Sequence, residues 1–278
     1  MKMTMKRKTL ALAALVLSLL AAVALGQIPA SDIAARAQWE EFLRTADIID
    51  ERQMGDEEGV TNPWVLTLAK DGVTRRALWK NPQGIQRGVL EGWKFEIAAY
   101  LLDKHFGLNM VPPTVERVFR RKAGSCQLWI SDTRDIESLL KQGQSPPAGR
   151  DRDYRRALFI QQAFDNLIGN EDRNWGNLLV TPDWRVIFID HSRTFRTTPA
   201  FKTGLPFSAA AHPDVQVMRE LPRAFVEKVR VLDEPTMQAV VGSYLTPAEV
   251  RAVLSRRDLL VKEIDRLLQT YGENKVLY

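Results

Sequence analysis

The chain is 278 residues long and 45% hydrophobic, which is enough to bury the core of one large domain or of two lobes. Its formal net charge is +5, from 39 basic and 34 acidic residues. The single cysteine, Cys126, excludes an internal disulfide, and the three histidines show no spacing typical of a zinc site.

Residues 1–26 have the composition of a signal peptide. Four basic residues between positions 2 and 8 precede an apolar run from Leu10 to Leu25, and Gly26 completes a small-residue cleavage pattern. The run is short for a membrane-spanning helix, which needs about 20 residues. We therefore expect an exported protein that is periplasmic or secreted after cleavage, with an uncleaved membrane anchor as the alternative.

The leader also carries most of the excess positive charge. Removing its four basic residues leaves 35 against 34 acidic ones, so the net charge falls to +1. A nucleic-acid-binding domain usually has a strong basic excess. The composition therefore argues against nucleic acid as a partner.

The next segment predicts a small β-rich unit. Apolar spacing predicts one helix and then three strands, over 33–43, 46–52, 64–69 and 74–80. The last two strands flank Asp71-Gly72, a pair that suits a tight hairpin turn. A glycine-containing acidic loop at 55–59 precedes them, and Lys80 ends the hairpin.

The middle of the chain alternates in the same way. We predict a helix over 91–106 ended by Gly107, strands over 111–118 and 126–130, a flexible loop over 141–153 and a helix over 154–168. Toward the C-terminus, helices are expected over 221–231 and 236–244. A third begins at Thr246-Pro247-Ala248-Glu249, a capping-box pattern.

The stretch from Phe164 to Phe195 carries the chemistry. Asp172 is followed five residues later by Asn177, and two short apolar runs joined by a turn then lead to Asp190. A hairpin would bring these three residues to one end of the structure. Phosphoryl transfer needs a carboxylate to orient and deprotonate the attacking hydroxyl, and oxygen ligands for Mg²⁺. Asp172 suits the first task, and Asn177 with Asp190 suits the second.

The motif LIGNEDRNWGN resembles the catalytic loop of the secretory-pathway casein-type kinases and is similar to those of HipA kinases and type II phosphatidylinositol 4-kinases. IDHSRTF resembles their metal-binding loop. The resemblance implies that Asp172 is the catalytic base and that Asn177 and Asp190 are metal ligands. Asn174 stands where many relatives carry His, and unlike His it does not titrate near pH 7.

The same resemblance implies an α+β, two-lobed, protein-kinase-like fold. A β-rich N-lobe would span residues 27–132 and a mostly helical C-lobe residues 133–278. In such folds a lysine of the third strand holds the nucleotide phosphates and pairs with a helix glutamate. Lys80 and Glu96 match these positions, and Glu91 is a competing partner that could instead suit the helix dipole.

Two further nucleotide contacts follow from the resemblance. The hinge that receives adenine would begin at Trp129, for which core packing is the alternative. Gly59, in the acidic loop, would offer a backbone donor to phosphate, although the loop lacks the G-x-G-x-x-G pattern. Asp165 is expected to brace the Asp172 loop rather than to act in catalysis.

The sequence therefore predicts an exported atypical kinase that uses ATP and Mg²⁺, or Mn²⁺, to phosphorylate a hydroxyl acceptor, with protein Ser/Thr as the first choice. A lipid headgroup or a sugar is the alternative acceptor. A pseudokinase that only binds is the alternative function, favoured by Asn174, by the acidic loop at 55–59 and by the scarcity of ATP outside a bacterial cytoplasm. Nucleotidyl transfer to protein is a third possibility.

Overall fold

The structure is a computed structural model of the chain and describes residues 34–55, 62–86, 88–208 and 218–278. The predicted leader, 1–26, and the candidate phosphate contact Gly59 lie outside these residues. Within the described ranges, no helix is both long and apolar enough to cross a bilayer.

A five-stranded antiparallel sheet follows helix α1 (Arg36–Thr45). Its members are β1 (Asp47–Gln53), β2 (Trp64–Lys70), β3 (Val73–Lys80), β6 (Thr114–Phe119) and β7 (Lys122–Leu128), in the spatial order β1-β2-β3-β7-β6. The β2–β3 turn forms at the predicted pair, with φ of 50° at Asp71 and 76° at Gly72. Lys80 is therefore the last residue of the central strand.

The predicted helix start at Glu91 is wrong. A separate hairpin is formed by β4 (Gln83–Gln86) and β5 (Val89–Gly92), in which Glu91 pairs with Gly84. Helix α2 then runs from Trp93 to Phe106 and ends at Gly107, whose φ is 74°. The hairpin gives the backbone of Glu91 its partners across a strand, an arrangement that apolar spacing alone does not indicate.

A second sheet holds the predicted hairpin of the Asp172 stretch. Its order is β10-β9-β8, with β8 at Arg134–Asp135, β9 at Leu178–Val180 and β10 at Val186–Phe188. A 3-10 turn, Trp175–Asn177, leads directly into β9.

The predicted loop over 141–153 is shorter in the structure. Helix α3 (Ile136–Lys141) precedes it, and α4 (Asp151–Ile168) begins within the predicted range. Asp135 caps α3 by accepting a 2.7 Å hydrogen bond from the backbone N of Ser138. Asp151 and Asp153 lie in the first turn of α4, where negative charge suits the helix dipole.

Further helices complete the C-terminal part. They are α5 (Pro199–Thr203), α6 (Arg223–Val231), α7 (Glu234–Val241), α8 (Pro247–Tyr271) and α9 (Glu273–Val276). The predicted capping box is present at the start of α8: Thr246 Oγ1 accepts from Glu249 N at 3.3 Å, and Glu249 Oε2 accepts from Thr246 N at 2.7 Å.

The described core consists of two hydrophobic clusters. The smaller one lies between α1 and the five-stranded sheet and includes Leu43, Leu66 and Trp79. The larger one is formed by α2, α4, the second sheet and the C-terminal helices. Helix α2 packs in the larger cluster although it precedes residue 132. The division of the chain after that residue stays a prediction.

Candidate active site

Lys80 lies between two carboxylates. Its Nζ atom is 2.9 Å from Glu96 Oε1 and 2.9 Å from Asp190 Oδ1. Glu96 is in the first turn of α2, and its other oxygen accepts a 3.0 Å hydrogen bond from the backbone N of His191. Two ion pairs of Lys80 thus join β3 to α2 and to the loop after β10.

The pKa values follow from burial and from these contacts. Burial alone would lower the pKa of Lys80, but Asp190 and Glu96 raise it above the usual value. Burial would raise the pKa of Asp190, yet the ammonium of Lys80 lowers it to about 2. Burial, together with the charge of Asp190, raises the pKa of Glu96 against the opposing effect of Lys80. Asp190 therefore remains a carboxylate at neutral pH.

The loop that carries Asp172 is braced from inside by Arg173. Nε of this arginine donates to Asp165 Oδ2 at 2.7 Å, and Nη2 lies 3.1 Å from Asp165 Oδ1. Nη1 donates to the carbonyl oxygens of Asn177 and Ile189, both at 2.9 Å. One buried side chain thus ties the end of α4 to both loops of the candidate site, and Asp165 has the bracing position that we expected.

Two asparagines shape the same loop. Asn170 donates to Asp165 Oδ1 at 2.9 Å and accepts from Asp172 N at 3.0 Å. Asn174 donates to the carbonyl oxygen of Asp172 at 3.1 Å and accepts from Gly176 N at 2.9 Å. Asn174 therefore makes loop-closing hydrogen bonds without a titratable group.

His191 is fully buried next to Asp190. Burial first, and then the charge of Arg173, hold its pKa well below 6.5. Arg173 Nη2 lies 3.1 Å from His191 Nε2, and since arginine only donates, Nε2 is the accepting nitrogen. His191 is thus a neutral support for Arg173.

The donor set suits Mg²⁺ or Mn²⁺ in a site completed by phosphate. Asp190 supplies a carboxylate that is 38% exposed, and Asn177 supplies an amide whose nitrogen donates to the carbonyl of Asp172 at 3.2 Å. The Oδ1 atom of Asn177 accepts no hydrogen bond from the described residues. Those residues contain no group of three or more His, Cys, Asp or Glu side chains placed to hold a metal. Mg²⁺ accepts such a sparse set when waters and phosphate oxygens supply the remaining ligands.

Arg193 reaches Asp172 from the metal-loop side. Its Nη1 is 3.3 Å from Asp172 Oδ2, while Nε and Nη2 donate to Glu91 Oε1 at 2.9 and 2.8 Å. Glu91 is only 2% exposed. Ser192 Oγ lies 3.4 Å from Glu91 Oε2 and 3.3 Å from Asp190 Oδ1, which extends the contact to the candidate metal ligand.

These groups border one cleft of about 780 Å³. Its lining includes four of the candidate residues predicted from sequence together with the predicted hinge residue: Lys80, Asp172, Asn177, Asp190 and Trp129. Glu96 is not part of the lining and contacts Lys80 from behind. Trp129 is partly exposed, its backbone N donates to Arg76 O at 3.0 Å, and Arg76 lies over its ring at 5.0 Å.

Comparison with solved structures identifies the fold. A structure of hydra Fam20 with sugar matches with a TM-score of 0.64 and 15% identity, covering 91% of this chain and 95% of that one. The Golgi casein kinase with Mn/ADP bound matches with a TM-score of 0.61 and 16% identity, covering 88% and 79%. The chain has an atypical kinase fold. The two-lobed α+β architecture predicted from its catalytic-loop motif is confirmed.

Comparison by sequence gives less. No protein-family model matches the chain. Protein Rv2133c of Mycobacterium tuberculosis is 27% identical over 214 residues, which cover 68% of this chain and 73% of that protein. The solved structures, at 15% and 16% identity, show the fold alone. Activity and substrate must therefore be inferred from the residues of the site.

Sequence reasoning missed the contact from Glu91 through Arg193 to Asp172. The sequence pattern indicates Glu91 only as a partner of Lys80 or as a helix-dipole residue, because it does not predict the β4–β5 hairpin. The signal for the hairpin is weak. It consists of Gly84 and Gly88, which adopt φ of 81° and 84° and are separated by only three residues.

Proposed function

We propose that this protein is an exported atypical kinase that transfers the γ-phosphate of ATP to a hydroxyl acceptor, with protein Ser/Thr as the preferred acceptor. The observation that carries the proposal is the double contact of Lys80 with Glu96 and Asp190, at 2.9 Å each, at the edge of a cleft that Asp172 and Asn177 also line. Each part of a phosphoryl-transfer site has a residue of suitable chemistry there.

In this reading Lys80 binds phosphate oxygens of the nucleotide, and Glu96 fixes the direction of its ammonium group. Asp172 accepts a hydrogen bond from the acceptor hydroxyl and takes its proton as the new bond forms. Asn177 and Asp190 would hold Mg²⁺ or Mn²⁺, which supplies neutralisation of charge on the phosphate oxygens. The adenine would lie against Trp129, which also lines the cleft.

Asn174 is compatible with this activity. Its side chain holds the Asp172 loop by two hydrogen bonds, and an amide makes these without a titratable group. The pseudokinase alternative keeps nucleotide binding and loses turnover, so only a transfer assay separates the two functions.

A sugar hydroxyl is a second candidate acceptor, favoured by Trp175. This side chain is 47% exposed three residues after Asp172. A flat, half-exposed aromatic ring offers an apolar surface on which the C–H face of a sugar ring packs. The Fam20 structure from hydra was determined with sugar, which supports testing this acceptor class.

The test is to incubate the purified full-length protein with γ-labelled ATP, Mg²⁺ or Mn²⁺, and either dephosphorylated protein or oligosaccharide acceptors. We expect metal-dependent transfer that is lost in Asp172→Asn and in Asp190→Ala. Mass spectrometry of the product distinguishes added phosphate from added AMP. Metal-dependent nucleotide binding without any transfer would favour the pseudokinase, and the absence of both would contradict a nucleotide site.

Export is a prediction from the leader, residues 1–26. We expect the leader to be removed, so that the N-terminus of protein isolated from the exported fraction begins at Gln27. An intact leader in a membrane fraction would instead identify an anchor.

A further inference from the structure

Arg193 occupies a position between the candidate base and the candidate metal ligand. It follows Asp190 by three residues and contacts Asp172 through Nη1 at 3.3 Å. Its other contacts, from Nε and Nη2 to Glu91, fix the guanidinium at two further points. Arg193 also lines the cleft with Lys80, Asp172 and Asp190.

The carboxylates around the cleft outnumber the cations, so a bound phosphate needs the positive charge of Arg193. Four carboxylates, Glu91, Glu96, Asp172 and Asp190, face two cations, Lys80 and Arg193, in these contacts. A triphosphate adds further negative charge, so its terminal group needs a positive neighbour beyond the metal. The ammonium of Lys80 lies on the side of Glu96, whereas Arg193 lies on the side of Asp172, where a hydroxyl acceptor would attack the γ-phosphorus.

Arg193 has hydrogen-bond donors left for a phosphate. A guanidinium carries five N–H donors, and the contacts with Glu91 and Asp172 account for three of them. One N–H on each terminal nitrogen therefore remains. Two donors from one planar group match two oxygens of a phosphoryl group better than a single ammonium does.

Glu91 fixes the position of the Arg193 guanidinium. A carboxylate that is 2% exposed is expensive to bury unless it is paired, and its pairing here is with Arg193, supported by Ser192. The pair links the β4–β5 hairpin to the loop after Asp190, and the backbone N of Gly92 donates to Ser192 O at 2.9 Å beside it. Such fixing before substrate binds is what electrostatic stabilisation of a transition state requires.

We propose that Arg193 is a catalytic residue that binds the transferred phosphoryl group, and that Glu91 is its positioning residue. The inference rests on the proposed kinase function. In the step, the acceptor oxygen forms a bond to the γ-phosphorus while the bond from that phosphorus to the bridging oxygen breaks. ADP leaves with the electron pair, and the hydroxyl proton goes to Asp172. Arg193 neutralises the charge on the oxygens of the group in transit.

The test compares nucleotides with and without a γ-phosphate, and it needs no acceptor. The affinities of full-length protein for Mg·ADP and for a non-hydrolysable Mg·ATP analogue are measured by calorimetry. Losing charged hydrogen bonds to the terminal phosphate should weaken analogue binding by about tenfold or more in Arg193→Gln. Binding of Mg·ADP should stay within about threefold of wild type, since the inferred contacts are to the γ-phosphate alone.

A matched control is Arg185→Gln. Arg185 is 28% exposed, against 21% for Arg193, and it also pairs with a carboxylate, with Nε 2.7 Å from Asp183 Oδ2. It lies beside β10 and does not line the cleft. We expect Arg185→Gln to bind both nucleotides like wild type. Arg193→Lys, which keeps the charge and loses the fork, should fall between wild type and Arg193→Gln for the analogue.

Turnover supplies the second measurement. With water or an acceptor as nucleophile, Arg193→Gln should lower kcat on the order of 10²-fold, the effect of removing one transition-state donor. Glu91→Gln should lower kcat less and leave Mg·ADP binding in place, because the guanidinium remains but loses its anchor. Thermal melting of each variant shows whether it is folded.

The outcomes separate the two proposals. Equal weakening of both nucleotides in Arg193→Gln would show that the residue has a structural role only and would overturn the inference. Unchanged binding of both nucleotides together with an unchanged kcat would overturn it as well. Either result leaves the kinase function standing if wild type transfers phosphate. Wild-type protein that binds neither nucleotide with metal would overturn the proposed function and this inference together.

Discussion

Two buried arginines hold the end of α4, and they do so with different partners. Arg173 pairs with the buried carboxylate of Asp165 and also binds two carbonyl groups. Arg256 is fully buried in α8 and donates to the carbonyl oxygens of Leu167, Arg196 and Phe201, at 2.9, 2.7 and 3.2 Å. Arg173 connects α4 to the segments just before Asp190, and Arg256 connects it to residues beyond Asp190.

The difference lies in charge compensation. Within the described part of the chain Arg256 forms no ion pair, its Nη2 has no hydrogen-bond partner, and burial lowers its pKa to about 10. Carbonyl dipoles therefore hold Arg256, whereas a full negative charge holds Arg173. The loop carrying the candidate base is thus fixed to α4 by an ion pair, whereas dipoles alone hold the end of α4 to the segment that contains Arg196 and Phe201.

The largest effect is expected for Arg173→Met. The change leaves Asp165 as a buried charge without its partner, which costs about 3–5 kcal/mol of unfolding free energy. Chemical denaturation measures the loss, and nucleotide binding should disappear because the loops of Asp172 and Asp190 lose their common support. The double variant Arg173→Met with Asp165→Leu should recover part of the stability, and failure to recover any would contradict the ion-pair explanation.

Arg256→Met should cost less, about 1–3 kcal/mol. Three carbonyl groups lose a donor, but the fold no longer buries an unpaired cation, and the two changes oppose each other. Denaturation under the same conditions gives the comparison directly. A loss equal to or greater than that of Arg173→Met would refute the assigned importance of charge compensation.

A pH effect should distinguish the support of Arg173 from that of Arg256, because only Arg173 contacts a histidine. The pKa of His191 in the folded state is well below 6.5, so below that pH this histidine is protonated in the unfolded chain and neutral in the folded one. Stability from this group is present above about pH 6.5 and is lost as the pH falls, by up to about 1.4 kcal/mol per unit. The acid-side slope of stability against pH should be shallower in His191→Asn, and an identical slope would contradict the prediction.

The smallest effect is expected for Asn174→Ala. This side chain braces the Asp172 loop from the exposed side, and its two hydrogen bonds contribute about 0.5–1.5 kcal/mol each at most. Thermal melting should change little, while transfer activity should fall by about tenfold or less, since the buried Arg173 still holds the loop. A complete loss of activity would show that the outer brace matters as much as the buried one.

Local signals predicted much of this architecture. The Asp71-Gly72 turn, the capping box at Thr246 and the C′ glycine at position 107 each depend on neighbouring residues and were predicted correctly. The kinase fold was implied by the resemblance of LIGNEDRNWGN and IDHSRTF to the loops of known kinases. The roles of the individual site residues remain proposals, although the spacing did indicate which side chains would border one cleft.

The contacts that sequence reasoning missed join residues far apart in the chain. Arg193 and Glu91 are separated by 102 positions, and Arg256 and Leu167 by 89. From local sequence alone a charged residue is predicted to be exposed to solvent. Its burial depends on a charged partner that no local pattern reveals. For the same reason the local pattern predicts a helix start at Glu91, which in the structure is a buried residue of β5 paired with Arg193.

The contact between Lys80 and Asp190 has a consequence for the order of events in the cleft. The carboxylate expected to receive a divalent ion is already neutralised by an ammonium at 2.9 Å. A free ion must compete with that ammonium, whereas a nucleotide offers the lysine a replacement anion at the same moment. We therefore expect weak affinity for metal alone and strong mutual dependence between metal and nucleotide, so that the two enter as one complex.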